Sequence, residues 1–181
     1  MGRPRTLDDE TLLDAALVII RQTGPDSLSF GALAERVDLA GSTLVQRFGT
    51  KSQLLRSALL LAWDRLDADT ARATKRAGSG RKGVVGLLVS LSGQYSTDDF
   101  ADQLLLLRED LRDPVLRERG QVWLDGLTTS INTRLSEPIG QLILTQWQGS
   151  LTMWAFQRRR PIASYVRKEL NDLFDRLNIE S

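Results

Sequence analysis

The side chains best suited to chemistry lie between Leu39 and Trp63, a stretch with three basic residues and no Asp or Glu. Hydrogen-bonding residues occupy the positions opposite an apolar helical seam of Leu39, Leu44 and Phe48; they are Ser42, Thr43, Gln46 and Arg47. Hydroxyl, amide and guanidinium groups bind phosphates, and Gln and Arg form paired hydrogen bonds with the edges of adenine and guanine. The stretch therefore indicates contact with a nucleic acid.

Catalysis is disfavoured by the composition of the 181-residue chain, which has no His and no Cys. A zinc finger, a disulfide framework, His-ligated haem and Ser-His-Asp or Cys-His catalysis are thereby excluded. A carboxylate-dependent enzyme is disfavoured as well, because the acidic pairs Asp98-Asp99 and Glu109-Asp110 are not repeated at the spacing of a helix-bundle metal site. We predict no enzymatic activity, no cofactor and no metal.

The net charge of the chain does not indicate a nucleic-acid partner. Twenty-four Lys and Arg face 23 Asp and Glu, a net charge of +1, whereas nucleic-acid-binding domains are usually strongly basic. A near-neutral chain can still bind a nucleic acid, because only the contacting face has to be positive. The stretch from Leu39 to Trp63, which has no acidic residue, would supply that face. The apolar runs Leu59–Trp63 and Leu104–Leu107 fall short of the roughly 18–20 residues of a membrane span, so we expect a cytoplasmic protein with no membrane partner.

Helical repeats of apolar residues, with no strand-period alternation, predict an all-α fold of about nine helices. We place them near residues 8–22, 30–37, 41–48, 51–75, 82–96, 99–111, 114–135, 137–157 and 161–177. Either Thr6 or Asp8 could cap the first helix, Ser29 caps the second, and Gly24 ends the first. The linker Ala77-Gly78-Ser79-Gly80 divides the chain.

The second and third predicted helices form a helix-turn-helix pattern. They have about seven residues each, are joined by a three- to four-residue turn and are followed by a longer helix. Such a module places its second helix in the major groove of DNA. The alternative is an ordinary helical hairpin whose residues only pack in a core.

A known family shows the same motif. The runs LAERVDLAGSTL (33–44) and RFGTKSQLL (47–55) resemble the DNA-binding domain of TetR-family transcriptional regulators, and the resemblance covers most of residues 7–62. It implies a three-helix DNA-binding domain at 1–50 with the helix-turn-helix at about 29–48. A connecting helix would follow at 51–77, and an effector-binding and dimerisation domain at 78–181.

Four positions depart from the family pattern. Asp38 replaces the usual turn Gly, which a left-handed turn tolerates. Ala40 replaces the usual Ser or Thr cap of the recognition helix, at a typical cost of ~1 kcal/mol. Val45 stands where the family has a phosphate-contacting Tyr, and Arg47 takes a His or Tyr position. For Lys51 the resemblance implies a phosphate contact.

The predicted DNA-contacting residues combine the motif with a basic N-terminal arm; they are Arg3, Arg5, Ser29, Gly41, Ser42, Thr43, Gln46, Arg47, Thr50 and Lys51. An arm carrying Arg3 and Arg5 can enter an adjacent minor groove. The alternative for the arm is a solvated, frayed terminus.

Two sets of residues are predicted in the C-terminal block. The first could line an apolar effector pocket; it is Tyr95, Phe100, Gln121, Trp123, Trp147 and Trp154. Ordinary core packing is the alternative for each aromatic residue. The second would form the interface of a homodimer; it is Ile139, Leu142, Ile143, Leu151, Leu170, Leu173, Phe174 and Leu177. The alternative for this set is an intramolecular core. We interpret Arg158-Arg159-Arg160 as a helix end, not as a second DNA site.

Together these features predict a ligand-responsive DNA-binding transcriptional regulator. By resemblance it is a repressor that binds a near-palindromic double-stranded DNA operator as a homodimer and is released by a small lipophilic effector. The alternative is a helical ligand-binding or protein-interaction module with a vestigial helix-turn-helix and no DNA binding, which Ala40 and Val45 support.

Overall fold

The structure, a computed structural model, describes residues 7–93, 97–157 and 160–178, and describes their side chains except at 97–103. Over these ranges it contains nine α-helices, one short 3₁₀ turn and no strand. The helices are α1 (Asp9–Thr23), α2 (Phe30–Val37), α3 (Gly41–Phe48), α4 (Lys51–Arg76), α5 (Gly80–Ser92), α6 (Thr97–Arg112), α7 (Pro114–Asn132), α8 (Gly140–Gln157) and α9 (Ile162–Arg176). The predicted all-α class is confirmed. None of the described helices is long and apolar enough to cross a membrane.

The chain divides into two compact units. The first comprises the chain up to Arg65 together with Asp102–Gly120, and the second comprises Leu66–Ala101 together with the chain from Gln121 onward. Each unit is therefore discontinuous in sequence, whereas the predicted domains are continuous segments. The predicted domain boundaries stay a prediction.

Local chemistry sets the ends of α1. The carboxylate of Asp8 accepts the amide of Thr11 at 2.8 Å, so Asp8 and not Thr6 is the N-cap. Gly24 adopts φ +84° and donates its N–H to the carbonyl of Ile20 at 2.9 Å, which ends the helix as predicted. The 3₁₀ turn Pro25–Ser27, which the sequence analysis missed, then leads to α2.

The first unit has one apolar core beneath α1, α2, α3 and the start of α4. Its buried residues are Leu12, Ala16, Leu17, Ile19, Ile20, Leu28, Leu33, Leu44, Phe48, Leu54 and Ala58. Burying an aliphatic side chain contributes about 1.5–3 kcal/mol. This core fixes the orientation of α3.

In the second unit, α5 and α8 pack against α9. The predicted start of α8 at residue 137 is wrong, because the helix begins at Gly140. Asn132 Oδ1 accepts the N–H of Gly140 at 2.7 Å and so caps this end of α8. A Cβ at Gly140 would lie 2.6 Å from that oxygen, so this close approach requires glycine.

Candidate nucleic-acid interface

The turn between α2 and α3 forms as the sequence predicts. Ser29 Oγ accepts the amide of Ala32 at 3.1 Å and caps α2. Asp38 adopts the left-handed conformation, φ 54° and ψ 50°, at the other end of α2. Its short polar side chain makes this conformation accessible, and the turn directs the chain into α3.

Helix α3 has a buried face and an exposed face. Leu44 is fully buried and Phe48 is 9% exposed, both within the core of the first unit. Ser42, Thr43 and Gln46 are exposed. The predicted hydrogen-bonding side chains are therefore exposed to solvent, while the opposite face of α3 packs in the core.

Two of the departures from the family pattern are visible on α3. Ala40 occupies the N-cap position with extended backbone and no side-chain hydrogen bond to the first turn. Val45 is 45% exposed, so an apolar side chain lies among the polar ones. The absence of a side-chain cap is confirmed.

A reciprocal hydrogen-bond pair begins α4. The amide of Gln53 donates to Thr50 Oγ1 at 3.2 Å, and the amide of Thr50 donates to Gln53 Oε1 at 2.8 Å. This is a capping box, which the sequence signals by Thr followed three residues later by Gln. Thr50, predicted only as a DNA-contacting residue, is thus also the N-cap of α4.

Lys51, the first residue of α4, is also anchored. Its Nζ donates to the carbonyl of Asp26 at 2.7 Å, which ties the start of α4 to the 3₁₀ turn. An ammonium group has three donors, so this bond leaves donors for a phosphate at the same place. The side chain remains exposed.

Arg47 is drawn back towards α1. Its Nη1 donates to the carbonyl of Leu7 at 2.7 Å, and its Nη2 lies 2.5 Å from Asp9 Oδ1. Hydrogen bonding by Thr11 lowers the pKa of the neighbouring Asp8, and the positive charge of Arg47 lowers it further. The sequence analysis missed these contacts, because nothing in the spacing of residues 7 and 47 signals them.

An open groove of about 460 Å³ lies beside the C-terminal end of α3; it is lined by Gln46, Arg47, Phe48, Gly49, Gln53, Arg56 and Ser57. Within it, Arg56 Nε donates to Asp113 Oδ2 at 2.7 Å. Burial raises the pKa of Asp113, but hydrogen bonds from Arg56, Val115 and Leu116 outweigh burial and lower it overall. The groove therefore adjoins the exposed face of α3.

The remaining predicted DNA-contacting residues are less informative. The hydroxyl of Ser29 is used as a cap. Gly41 begins α3, and a Cβ placed there would meet nothing within 4 Å. Arg3 and Arg5 lie outside the described residues.

The predicted pocket aromatics are part of the buried core. Trp123, Trp147 and Trp154 are 8%, 1% and 4% exposed. Each indole N–H is satisfied: by Thr70 Oγ1 at 3.0 Å, by Ser92 Oγ at 2.8 Å and by the carbonyl of Arg160 at 2.7 Å, respectively. This arrangement is typical of core packing.

Of the other residues in the predicted effector set, the structure describes only the side chain of Gln121. Gln121 is exposed and donates to Asp125 on its own helix at 2.8 Å. The side chains of Tyr95 and Phe100 lie outside the described residues, as do Arg158 and Arg159. Across the residues that the structure does describe, no cluster of three or more acidic side chains could hold a metal.

The predicted dimer residues divide by exposure. Ile143, Leu151, Leu170 and Phe174 are at most 1% exposed, so they pack inside the unit. Ile139 and Leu173 are half-buried, and Leu142 and Leu177 are 46% and 38% exposed. A side chain without exposed surface cannot contact a second chain, which leaves the half-buried and exposed residues for such a role.

An exposed apolar stripe on α8 shares Leu142 with the predicted dimer residues. Leu142, Gly149, Met153 and Phe156 are exposed and recur at helical spacing, and Phe156 is 85% exposed. Met153 and Phe156 are not among the predicted dimer residues, because periodicity alone does not decide which side of an amphipathic helix is exposed.

Comparison with known proteins matches part of the chain to one family. Residues 12–58 match the family described as bacterial regulatory proteins, tetR family. The HTH-type transcriptional repressor KstR of Mycolicibacterium smegmatis is 41% identical over 68 residues, which are 38% of this chain and 33% of that protein. The match thus spans about a third of the curated relative.

Solved structures extend the likeness to the whole fold. A member of the TetR family from Streptomyces coelicolor A3 has a TM-score of 0.70 at 19% identity, covering 95% of this chain and 98% of that one. The multidrug binding protein EbrR, complexed with malachite green, has a TM-score of 0.68 at 20% identity, covering 95% and 98%. The helix-turn-helix segment, residues 12–58, is thus similar to the tetR family of bacterial regulatory proteins, and the chain shares the fold of these solved structures.

Proposed function

We propose that the chain is a DNA-binding transcriptional regulator that reads base edges with the exposed face of α3. The observation that carries this proposal is the exposure of Ser42, Thr43 and Gln46 on a helix whose opposite face is locked in the core. Gln46 suits paired hydrogen bonds to adenine, and the two hydroxyls suit phosphates or base edges. No acidic residue interrupts the sequence from Leu39 to Trp63, so neither α3 nor the first half of α4 itself presents a carboxylate to a duplex.

Phosphate contacts are assigned to the start of α4. The N-terminal amides and dipole of a helix attract anions, and Lys51 adds a full charge there. Thr50 remains exposed beside it. These contacts position the duplex, while α3 supplies the sequence discrimination.

The regulator acts as a homodimer through the exposed residues of α8 and α9. Leu142, Met153 and Phe156 form a water-exposed apolar stripe, with Gly149 between them, and such patches typically mark interfaces. Leu177 is exposed at the end of α9. Two copies would place their α3 helices roughly 34–36 Å apart, in successive major grooves of a near-palindromic operator.

A small lipophilic effector would release the operator. EbrR, which shares the fold, is a multidrug binding protein that holds malachite green, and the partial relative KstR is a repressor. Release requires the effector to bind the DNA-incompetent conformation more tightly than the competent one. Repression is therefore the proposed outcome of DNA binding.

Selection of bound duplexes from a random pool tests this function. The expected result is a palindromic consensus whose affinity falls steeply as salt rises. Gln46→Ala should weaken binding by about 1–3 kcal/mol, relax specificity at one position of each half-site and leave the salt slope unchanged.

Gln148→Ala, another exposed glutamine, serves as the matched control. It should bind as the wild type does. Failure to enrich any duplex would favour the alternative, a helical module without DNA binding, for which the uncapped Ala40 and the exposed Val45 are the specific observations.

A further inference from the structure

The groove beside the C-terminal end of α3 is lined by hydrogen-bond donors, and none of its described lining residues is acidic. It measures about 460 Å³, and its polar side chains are those of Gln46, Arg47, Gln53, Arg56 and Ser57. Amide, guanidinium and hydroxyl groups all donate hydrogen bonds, and a guanidinium is always positively charged. The groove therefore suits an oxyanion, and the bonds that each arginine already makes show which of the two can bind it.

Arg47 has both of its terminal nitrogens engaged within the first unit. Nη1 donates to the carbonyl of Leu7 at 2.7 Å, and Nη2 lies 2.5 Å from Asp9 Oδ1. The side chain of Arg47 is 27% exposed. An oxyanion would have to displace Asp9 before it could bind these nitrogens, so Arg47 is the weaker candidate.

Arg56 is bound in a different way. Its Nε donates to Asp113 Oδ2 at 2.7 Å, and neither Nη1 nor Nη2 makes a hydrogen bond within the described part of the chain. The side chain of Arg56 is 38% exposed, whereas that of Asp113 is 19% exposed. Nη1 and Nη2 carry four of the five N–H donors of a guanidinium. The outer edge of Arg56 is thus open to a ligand while its inner edge is fixed.

Asp113 is itself held at the start of α7. Its Oδ1 accepts the amide of Val115 at 2.9 Å and the amide of Leu116 at 3.4 Å. One carboxylate oxygen therefore caps a helix, and the other orients Arg56. The N-terminal end of α7 also compensates part of the negative charge of Asp113, so Asp113 fixes the direction of Arg56 without occupying its outer edge.

The groove is continuous with the proposed DNA-reading surface. Gln46 belongs to both, because it is exposed on α3 and lines the groove. The major groove of DNA is about 12 Å wide, so a side chain that reaches a base edge there has a phosphate backbone close to it on either side. A duplex bound at Gln46 would bring backbone phosphates to the groove.

We propose that the groove is a further phosphate site for DNA, in which Nη1 and Nη2 of Arg56 bind a backbone phosphate and Asp113 is the positioning residue that orients Arg56. Gln53 and Ser57 line the same groove and add neutral donors. The inference rests on the proposed DNA-binding function. It extends the phosphate contacts along α4 from Lys51, and such contacts add affinity without discriminating between sequences.

Arg56→Gln tests the contact on the selected duplex. Loss of the charge should weaken binding by about fivefold at about 0.15 M salt and lower the salt slope by about 0.9, with the same factor on matched and mismatched duplexes. Arg56→Lys keeps the charge and should retain most of the slope. Arg76→Gln, a change at an exposed arginine of α4 in the second unit, is the matched control and should bind as the wild type does. An unchanged salt slope in Arg56→Gln would overturn the inference.

Neutral methylphosphonates locate the phosphate on the DNA. They replace the backbone phosphates of the selected duplex one at a time. At one position in each half-site, the replacement should weaken binding of the wild type by about fivefold and change that of Arg56→Gln by less than about twofold, because both changes remove the same contact. If every replacement weakens the two proteins equally, Arg56 contacts no phosphate and the inference fails.

Asp113→Ala tests positioning while Arg56 stays in place. It should weaken DNA binding by about twofold or more, although it removes a negative charge, and it should cause no further loss in the Arg56→Gln background. A merely structural role of Asp113 would give the same loss in both backgrounds. Either that result or tighter binding by Asp113→Ala would overturn the positioning role.

A free phosphate ion offers the same chemistry as a backbone phosphate, and an experiment without DNA distinguishes the two sources. Millimolar inorganic phosphate, compared with chloride at equal ionic strength, should shift the side-chain amide NMR signals of Gln46 and Gln53 in the wild type but not in Arg56→Gln. If the signals shift while Arg56→Gln binds the duplex as the wild type does, the groove takes the free ion only; the inference is then overturned and the DNA-binding function stands. A wild-type chain that selects no duplex refutes that function and DNA as the occupant of the groove.

Discussion

Helices α3 and α8 show how differently two predicted functional sites relate to their folded surroundings. On α3 the predicted residues Ser42, Thr43 and Gln46 are exposed. On α8 the predicted pocket residues Trp147 and Trp154 are at most 4% exposed, and their N–H groups are satisfied within the second unit. A polar residue opposite an apolar seam has to face outward, because burying it without a partner is costly. A Trp fits a core and a cavity equally well, so its type alone does not distinguish them.

Replacing Trp147 by Ala is the strongest test of this contrast. The ring is 1% exposed, so its removal leaves a cavity and should lower the free energy of unfolding by about 3–5 kcal/mol. Trp147→Phe keeps most of the volume and should cost about 1–3 kcal/mol through a smaller cavity and the lost bond to Ser92. Urea unfolding followed by circular dichroism measures both. A fully stable Trp147→Ala that loses effector binding would instead make Trp147 a pocket residue.

The sequence predicts contacts between residues that are close along the chain better than contacts between distant residues. The cap at Ser29, the left-handed turn at Asp38 and the helix end at Gly24 all depend on bonds within a few residues, and the residue types predict them. The bond of Arg47 to Leu7 joins residues far apart in the chain. Only the three-dimensional packing of α1 on the helix-turn-helix brings those two residues together.

The two stripes of α8 illustrate the same limit. Both repeat with helical period, so periodicity predicts an amphipathic helix without deciding which stripe is buried. In the folded unit, where α8 packs against α9, Ile143 and Leu151 are buried while Leu142 and Phe156 are exposed. The fold class could be predicted because it follows from the helical period alone. To predict the interface, one must also know which element packs against each face of the helix.

The two glycines of α8 sharpen the comparison within the second unit. Gly140→Ala places a Cβ 2.6 Å from Asn132 Oδ1 and 2.7 Å from the carbonyl of Thr128, and such overpacking should cost about 1–3 kcal/mol of unfolding free energy. Gly149→Ala meets nothing within 4 Å and should stabilise the helix by about 0.5–1 kcal/mol.

Thermal unfolding of both variants measures these effects, and sedimentation adds a second readout. Gly149 lies in the exposed stripe, so an added methyl there should weaken the proposed dimer while it stabilises the helix. Equal stability changes at the two glycines would contradict the close approach of Asn132 to α8.

In the first unit, the contributions of two carboxylates to stability should change in opposite directions as pH falls. Arg56, Val115 and Leu116 outweigh burial and lower the pKa of Asp113, so its contribution to stability is present above its unfolded value of about 3.8 and is lost as pH falls. Burial raises the pKa of Asp110, which accepts the N–H of Trp63 at 3.1 Å. Its contribution is therefore present at low pH and lost as pH rises through the folded pKa.

Asp113→Asn should accordingly lower the free energy of unfolding by about 1–2 kcal/mol at pH 7, by removing a charge-assisted bond to Arg56. Asp110→Asn keeps an acceptor for Trp63 and relieves a buried charge, so it should be neutral or stabilising by up to about 1 kcal/mol. Urea titrations at pH 7 and at about pH 2 measure both, and the two variants should approach each other in stability at the lower pH, which lies well below the unfolded pKa of 3.8. If both substitutions lowered the free energy of unfolding at pH 7, the environments assigned to Asp113 and Asp110 would be wrong.

The smallest expected effect tests whether α3 is held firmly enough to read DNA. Ala40 has φ −66° and ψ 134°, the extended backbone of an N-cap, but no side-chain acceptor for the first turn of α3. Ala40→Ser supplies that acceptor without backbone strain and should stabilise the chain by about 1 kcal/mol, and Ala40→Gly should fall short of that gain by only about a few tenths of a kcal/mol. If α3 is a working recognition helix, the Ser variant should also bind the selected duplex at least as tightly as the wild type, because the cap lies behind the exposed residues. A stabilised Ser variant that binds the duplex more weakly would mean that recognition needs a mobile first turn of α3. The surface of α3 would then not be a rigid site for DNA, in contrast to the buried aromatic core of the second unit.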